Sequence, residues 1–228
     1  MREPEMQAKE NPVGSGALLG ATAAYAALVA IGLGALGTAP AAAETGPQVV
    51  AWFREHRDGV RWSVWAFTVV TPPFAVMIAL LRRLLPAPHR DVFLIGAVAF
   101  LVSNAVFSWT LAGLALHAPD LEPAIARTVL DVAVFFGPVL TGTTTTMMAP
   151  VTLLALLGRA GIPKWLGILG ATAFLEQAVE TVTIFGSTGF TQPGGAMNLQ
   201  LGAGLTLGWI LAFGIWGGLR GRPRNPGA

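Results

Sequence analysis

The sequence predicts an all-α integral membrane bundle of six transmembrane helices, and both composition and pattern indicate it. Of its 228 residues, 54% are hydrophobic and only 11% are charged, whereas soluble globular domains carry about 25% charged residues. The apolar residues also form long runs, and a helix needs a run of about 20 to cross a hydrocarbon core about 30 Å thick. Turn-forming and charged residues separate these runs, which is typical of a multi-pass membrane protein.

Six runs reach this length, and we number them spans 1 to 6 in chain order. They cover residues 15–38, 61–85, 91–116, 125–157, 165–186 and 199–219. Spans 2 to 6 are joined by the short segments "PAPHRD", "HAPDLEP", "GRAGIPK" and "STGFTQPGGAMN", so consecutive spans are expected to run antiparallel. The prediction is one transmembrane domain, 15–219, between cytoplasmic tails at 1–14 and 220–228.

Basic residues near the ends of the spans set the expected orientation, because they are enriched in cytoplasmic loops. With the N-terminus inside, ten basic residues are cytoplasmic and four are external, which favours both termini inside. The ten are Arg2, Lys9, Arg82, Arg83, Arg90, Arg159, Lys164, Arg220, Arg222 and Arg224, and the four are Arg54, Arg57, Arg61 and Arg127.

Two features near the first span have competing interpretations. The segment "APAAAE" has the pattern of a signal-peptidase site with cleavage after Ala43. The apolar run 16–37 is, however, longer than the roughly 7 to 15 residues of a signal peptide, so we expect an uncleaved anchor. Between spans 1 and 2, "PQVVAWFREHRDG" gathers apolar residues on one side of a short helix. That helix is predicted either to lie at the outer membrane interface or to pack within an external loop.

Composition excludes several chemistries. The chain has no cysteine, and its three histidines, His56, His89 and His117, lie in loops or at span ends, so neither a metal centre nor a haem is expected within the membrane. The short cytoplasmic segments contain no Gly-rich phosphate loop, which excludes ATP-driven transport by this chain alone. The arginines form no basic face, so no nucleic-acid partner is expected. No cofactor and no catalytic set is predicted.

The stretch "FLEQAVETVTIFG" places Glu176 and Glu180 four residues apart inside span 5. Residues four apart share a helix face, and this face continues through Thr172, Thr183 and Ser187 as a polar stripe. A charged residue at the centre of a membrane helix costs about 2.5 to 3.5 kcal/mol. We therefore expect the stripe to face the bundle interior or a hydrated cavity, and not lipid.

Two interpretations of this glutamate pair are open at this stage. Two ionised carboxylates this close repel one another in a low dielectric, so we expect at least one to hold a proton at neutral pH. In the first interpretation, the pair therefore provides proton or cation sites. In the second, Glu176 hydrogen-bonds to a neighbouring helix while Glu180 pairs with a cation.

Residues of spans 3 and 4 complete the predicted site. Arg127 and Asp131 lie four apart near the outer boundary, where they form a gate pair or Arg127 reaches Glu180. Asn104 lies near the midplane as a polar wall. In "TGTTTTMMAP", most threonine hydroxyls are expected to bond to carbonyls one turn back, and Thr145 is the one predicted to contact a ligand.

Spans 1 and 6 carry small residues at helical spacing, which allow helix backbones to approach closely. This pattern predicts packing within the chain or, alternatively, a seam between two copies. The residues are Gly16, Gly20, Ala23, Ala27, Ala30 and Gly34 in span 1, and Gly204, Gly208 and Ala212 in span 6.

The connection "GRAGIPKWLGILGATA", together with six helices of these lengths, carries a family resemblance. The chain resembles a loosely defined bacterial family of six-helix polytopic membrane proteins of unknown function. The resemblance rests on the "IPKWLG" turn, Ile162 to Gly167, and on the small-residue first span. The likeness covers spans 1 to 6. It implies a bacterial membrane protein and brings no activity with it.

These features favour a handler of a small solute or cation that does not use ATP. Prolines in spans 2 and 4 support it, because broken helices beside an acidic stripe are typical of a substrate pathway. The alternative is a structural or assembly subunit of a larger membrane complex, with partners or a second copy bound through spans 1 and 6. A membrane enzyme that uses the two glutamates as acid and base is a third hypothesis.

Overall fold

The computed structural model describes residues 13–40 and 43–220, and every regular element within these ranges is a helix. Most of the two predicted tails lies outside these residues. The α-helices are α1 (Val13–Leu36), α2 (Gly46–Glu55), α3 (Arg57–Val69), α4 (Thr71–Arg82), α5 (His89–His117), α6 (Pro123–Val134), α7 (Phe136–Leu156), α8 (Lys164–Glu180) and α9 (Ala203–Arg220). Between α8 and α9 lie 3-10 turns at Thr181–Phe185 and Gly189–Thr191 and a π-helical segment at Met197–Gly202.

Five helical stretches in the described chain are long and apolar enough to cross a membrane. They are Gly14–Leu36, Arg57–Arg82, His89–His117, Lys164–Phe185 and Gln200–Arg220, and they correspond to spans 1, 2, 3, 5 and 6. Much of their apolar surface faces outward, as in the row Ile95, Val98, Val102, Val106 and Trp109 along α5. An outward apolar surface of this extent suits lipid and not water. The all-α class is therefore confirmed, with five membrane-length helices.

Span 4 is the one predicted span that does not appear among the membrane-length apolar stretches of the described chain. It is divided into α6 and α7 at Phe135, and its apolar part, Leu140–Leu156, is shorter than the other five stretches. The physical reason is Pro138, which has no N–H to donate to the Val134 carbonyl one turn earlier. The break is mild, because the Phe135 N–H still reaches the Asp131 carbonyl at 3.1 Å.

Helix α7 lies at the centre of the larger apolar core, between α5 and α8. Its buried side chains include Met147, Met148 and Val151. Gly96 of α5 allows a close approach to α7, since an added Cβ there would overlap the backbone of Met147. The absence of a side chain at Gly96 thus allows α5 and α7 to touch backbone to backbone.

A second, smaller apolar core lies under α2. Val49, Val50 and Phe53 on its apolar side are buried in a cluster with residues of α5 and α6, such as Leu114 and Leu130. The apolar side of α2 is therefore covered by protein, and whether α2 lies at the outer membrane interface stays a prediction.

Glycines of α9 pack it against α1 and α4, but they are not the glycines that the sequence pattern singled out. An added Cβ at Gly214 would lie 2.5 Å from Thr22 Oγ1, and one at Gly218 would lie 2.5 Å from Leu19 Cγ. At Gly204 and Gly208, an added Cβ would meet nothing within 4 Å.

The small-residue row of α1 faces outward. All six of its members are exposed in the structure: Gly16, Gly20, Ala23, Ala27, Ala30 and Gly34. The expectation that this row packs within the chain is therefore wrong, since the buried side of α1 is formed by larger residues such as Leu18, Thr22 and Tyr25.

At each end of the bundle, an arginine side chain donates a hydrogen bond to a backbone carbonyl of a neighbouring segment. At one end, Arg220 Nη1 at the end of α9 donates to the Ala160 carbonyl at 2.7 Å. At the other end, Arg54 Nε donates to the Ala118 carbonyl at 3.0 Å, which joins α2 to the end of α5. The loops thus meet in two groups at opposite ends, as the antiparallel arrangement predicts.

Candidate functional site

A cavity of about 250 Å³ lies between α1, α3, α4, α5, α7, α8 and α9. Most of its wall is aliphatic or aromatic, and its polar lining comes from Thr68, Thr71, Asn104, Ser108, Thr141, Thr144, Gln177, Glu180, Asn198 and Thr206, with Tyr25. Interruptions of four helices border it: the α3–α4 junction, the start of α7, the end of α8 and the π-helical segment.

Glu180 is the carboxyl group of this cavity. It is the last residue of α8, its side chain is only 4% exposed, and Oε1 accepts a hydrogen bond from Asn198 Nδ2 at 2.5 Å. Asn198 Nδ2 also lies 3.2 Å from Thr183 Oγ1, and Asn198 Oδ1 accepts from the Gly194 N–H at 3.0 Å. One buried amide therefore links the carboxyl group to the segment that follows α8.

The space for this carboxyl and amide pair comes from two glycines. An added Cβ at Gly202 would lie 2.6 Å from Glu180 Oε2, and one at Gly137 would lie 3.0 Å from Asn198 Cβ. Gly202 ends the π-helical segment that begins at Met197. A π-helical turn widens the helix locally and is often found at functional sites, and here it carries Asn198 and Gly202 against Glu180.

Gln177 forms a second polar cluster beside Glu180. Its Oε1 accepts hydrogen bonds from Thr144 Oγ1 at 2.5 Å and Thr145 Oγ1 at 3.0 Å. Its Nε2 donates to Thr206 Oγ1 at 2.8 Å. One buried amide of α8 thus satisfies hydroxyl groups of both α7 and α9.

The two predicted glutamates have different surroundings. Glu176 is only 9% exposed, both of its carboxylate oxygens lack a hydrogen-bond partner among the described residues, and it is not part of the cavity wall. Thr172 and Ser187 of the predicted stripe are exposed, while Thr183 is buried. The buried polar face of this region is therefore shorter than the spacing alone predicts.

The remaining predicted site residues divide into two groups. Asn104 lines the cavity and Thr145 bonds to Gln177 beside it. Arg127 donates to the Asp131 carboxylate and, at 3.1 Å, to the Glu44 carbonyl, and neither member of this ion pair lines the cavity. Their role as a gate stays a prediction.

Gln177, Asn198, Thr144 and Thr206 are the site residues that sequence reasoning missed. Gln177 lies directly beside Glu176 in "EQAVE", and an amide inside an apolar segment is the signal that could have found it. Asn198 belongs to "STGFTQPGGAMN", which the sequence presents as a polar connection, yet Met197 and Asn198 are buried. The described residues contain no group of three or more histidine, aspartate or glutamate side chains that could hold a metal ion.

Fold and site together define a class: a helical bundle with membrane-length helices and a partly polar cavity between them. No family model, curated protein or solved structure shows significant similarity to this chain. The resemblance to a bacterial six-helix family stays a prediction.

Proposed function

We propose that this chain is a multi-pass protein of a bacterial cytoplasmic membrane that binds a small solute or cation in the cavity between its helices without using ATP. In this proposal the membrane is crossed six times, with α6 and α7 together as the fourth crossing and both termini cytoplasmic. The observation that carries it is the buried Glu180 carboxyl group in a cavity of about 250 Å³.

The cost of burying polar groups among membrane helices supports the proposal. Ionisable residues inside membrane proteins are rare and are associated with ligand, ion or proton pathways. Interrupted helices are tolerated at membrane depth where they line a cavity, and four interruptions border this one.

Each of the main residues in and around the cavity has a proposed role in binding. Glu180 and Asn198 contact the polar part of the solute, and Asn104 forms the facing polar wall. Glu176 is a second proton or cation site one turn along α8, and the Arg127–Asp131 ion pair is a gate near the external end. Gln177 holds α7 and α9 in register with α8.

Filling the cavity tests this function. Ala203 lines the cavity, whereas Ala178 is exposed on α8, so Ala203→Phe and Ala178→Phe form a matched pair. Thermal unfolding of the purified proteins is measured with a panel of small amines, amino acids, sugars and alkali cations, because a ligand that binds only the folded state stabilises it. We expect at least one compound to stabilise the wild type and Ala178→Phe but not Ala203→Phe. If no compound does so, the proposed function is wrong.

A second candidate function, a subunit of a larger membrane assembly, is favoured by the exposed small-residue row of α1. Small residues at this spacing drive association of membrane helices, and within the chain these residues contact little. We expect Gly20→Leu combined with Ala27→Leu to reduce oligomer size in analytical ultracentrifugation. Gly113→Leu, at an exposed glycine of α5 with open space around it, is the control. A monomeric wild-type protein would exclude the homo-oligomer.

A further inference from the structure

The lining of the cavity indicates which class of solute it takes, an inference that rests on the proposed function. We propose that the ligand is an amphipathic organic cation, a protonated or quaternary amine attached to an apolar body. Among the described residues that line the cavity, Glu180 carries the one carboxyl group, and none is lysine, arginine or histidine. A cationic ligand would find its counter-charge in this wall, and an anionic ligand would not.

An aromatic wall provides the second feature that favours a cation. The rings of Tyr25 and Phe74 lie with their centroids 5.2 Å apart, those of Phe74 and Phe100 lie 5.6 Å apart, and all three residues line the cavity. The face of an aromatic ring attracts a cation that lies within about 6 Å of its centroid. A carboxylate and aromatic rings in the wall of one cavity are a combination that recognises ammonium groups.

The hydrogen-bonding groups of the wall also present acceptors. Asn104 uses one N–H of its Nδ2 to donate to the Phe100 carbonyl at 2.8 Å, so its amide oxygen and its second N–H are left for a ligand. At the α3–α4 junction, Thr68 lines the cavity, and Pro72 has no N–H for its carbonyl. This carbonyl accepts from the Val70 N–H, and its second lone pair can accept from a ligand. Acceptors of this kind match the N–H groups of a protonated amine.

Cavity size and polarity distinguish an organic cation from a bare metal ion. An apolar cavity of about 150 Å³ is large enough to bind benzene, and this cavity has a volume of about 250 Å³. A sodium or potassium ion beside Glu180 would leave most of that apolar volume unfilled. A ring or short branched chain that carries an ammonium group would fill it and place its charge at the carboxylate.

Three probes of similar size and different charge test the inference. They are 2-phenylethylammonium, 2-phenylethanol and phenylacetate, and their dissociation constants are measured by equilibrium dialysis against the full chain in lipid nanodiscs, with empty nanodiscs subtracted. We expect the cation to bind at least about tenfold more tightly than the alcohol, and phenylacetate to bind most weakly. This comparison within the wild type needs no variant.

Removing the charge from Glu180 completes the test. For Glu180→Gln, we expect the dissociation constants of the cation and the alcohol to differ by no more than about threefold. Glu55→Gln, at an exposed residue of α2, should keep the tenfold preference for the cation. If the wild type binds the alcohol as tightly as the cation, the inferred ligand class is wrong while the proposed binding function stands. If none of the probes binds and the solute panel also fails, the proposed function is wrong as well.

Discussion

Gln177 shows how much one uncharged side chain contributes to the packing of this bundle. Its amide oxygen and nitrogen bond to Thr144, Thr145 and Thr206, which belong to the helices on either side. Polar contacts between membrane helices contribute about 0.6 kcal/mol each on average and up to about 1.7 kcal/mol. Three of them on one residue make Gln177 the main polar connection between α7, α8 and α9.

The Gln177→Leu variant is expected to lower the free energy of unfolding by about 1 to 3 kcal/mol, because three hydrogen bonds are lost and buried hydroxyl groups lose their partner. Denaturation in mixed micelles with increasing sodium dodecyl sulfate, followed by tryptophan fluorescence, measures this change. The control is Gln200→Leu, since Gln200 is exposed. Equal stabilities of the two variants would contradict the structural role given to Gln177.

Gly202 determines where the Glu180 carboxyl group lies, because its missing side chain leaves room for Oε2. In Gly202→Ala, the carboxyl group has to move away from its hydrogen bond with Asn198. We expect about tenfold weaker binding of 2-phenylethylammonium, which corresponds to about 1.4 kcal/mol. Dialysis in nanodiscs measures it, and Gly204→Ala, with open space at its Cβ, should bind as the wild type does. Unchanged binding by Gly202→Ala would show that the position of the Glu180 carboxyl group does not affect binding of the cation.

At the scale of whole helices, the crossing of α5 and α7 is a close backbone contact within the larger core. Gly96 faces the backbone of Thr146 and Met147, and backbone atoms cannot move aside as a flexible side chain can. The position of α7 in turn fixes Thr144 and Leu140 in the cavity wall. Close packing at one helix crossing therefore supports the shape of the site.

The Gly96→Ala variant is expected to lose about 1 to 3 kcal/mol of stability through overpacking. Gly113→Ala in the same helix meets nothing within 4 Å, so its stability should stay within about 1 kcal/mol of the wild type. Thermal unfolding of both variants, monitored by circular dichroism, compares them directly. A Gly96→Ala protein as stable as Gly113→Ala would mean that the two helices do not cross in this way.

At the scale of the whole molecule, the membrane topology depends on whether α6 and α7 together form the proposed fourth crossing. If α6 and α7 together cross the membrane, the loops at Asp120 and Ser187 lie on one side and the loop at Arg159 lies on the other. If they do not cross, Ser187 changes sides relative to Asp120.

The absence of cysteine makes this topology directly measurable. The single substitutions Asp120→Cys, Arg159→Cys and Ser187→Cys introduce one thiol each, at residues that are exposed. With basic residues enriched inside, a membrane-impermeant maleimide applied to intact cells should label the first and third and spare the second. Lysed cells provide the control, in which all three should react. Labelling of Asp120→Cys without Ser187→Cys would exclude the six-span arrangement.

The sequence predicts the large features of this molecule because they depend on composition and period. Runs of about 20 apolar residues predict membrane-length helices wherever they occur, and five of the six predicted spans are found as such stretches. The remaining run, span 4, is divided into α6 and α7 because Pro138 has no N–H to donate to the carbonyl one turn earlier. Spacing also placed Glu176 and Glu180 on the buried side of α8, since both belong to one regular helix.

The sequence by itself determined the helical class of this protein, five stretches long and apolar enough to cross a membrane, and the presence of carboxyl groups inside the bundle. Only the tertiary structure decided which partners the buried polar groups have. Asn198 donates to Glu180, which lies 18 residues earlier in the chain, and Gln177 donates to Thr206, which lies 29 residues later. It also decided that the small residues of α1 face outward. The physical reason is that helical spacing tells which residues share a face, whereas the rotation of each helix about its axis, set by packing against all its neighbours, decides what that face contacts.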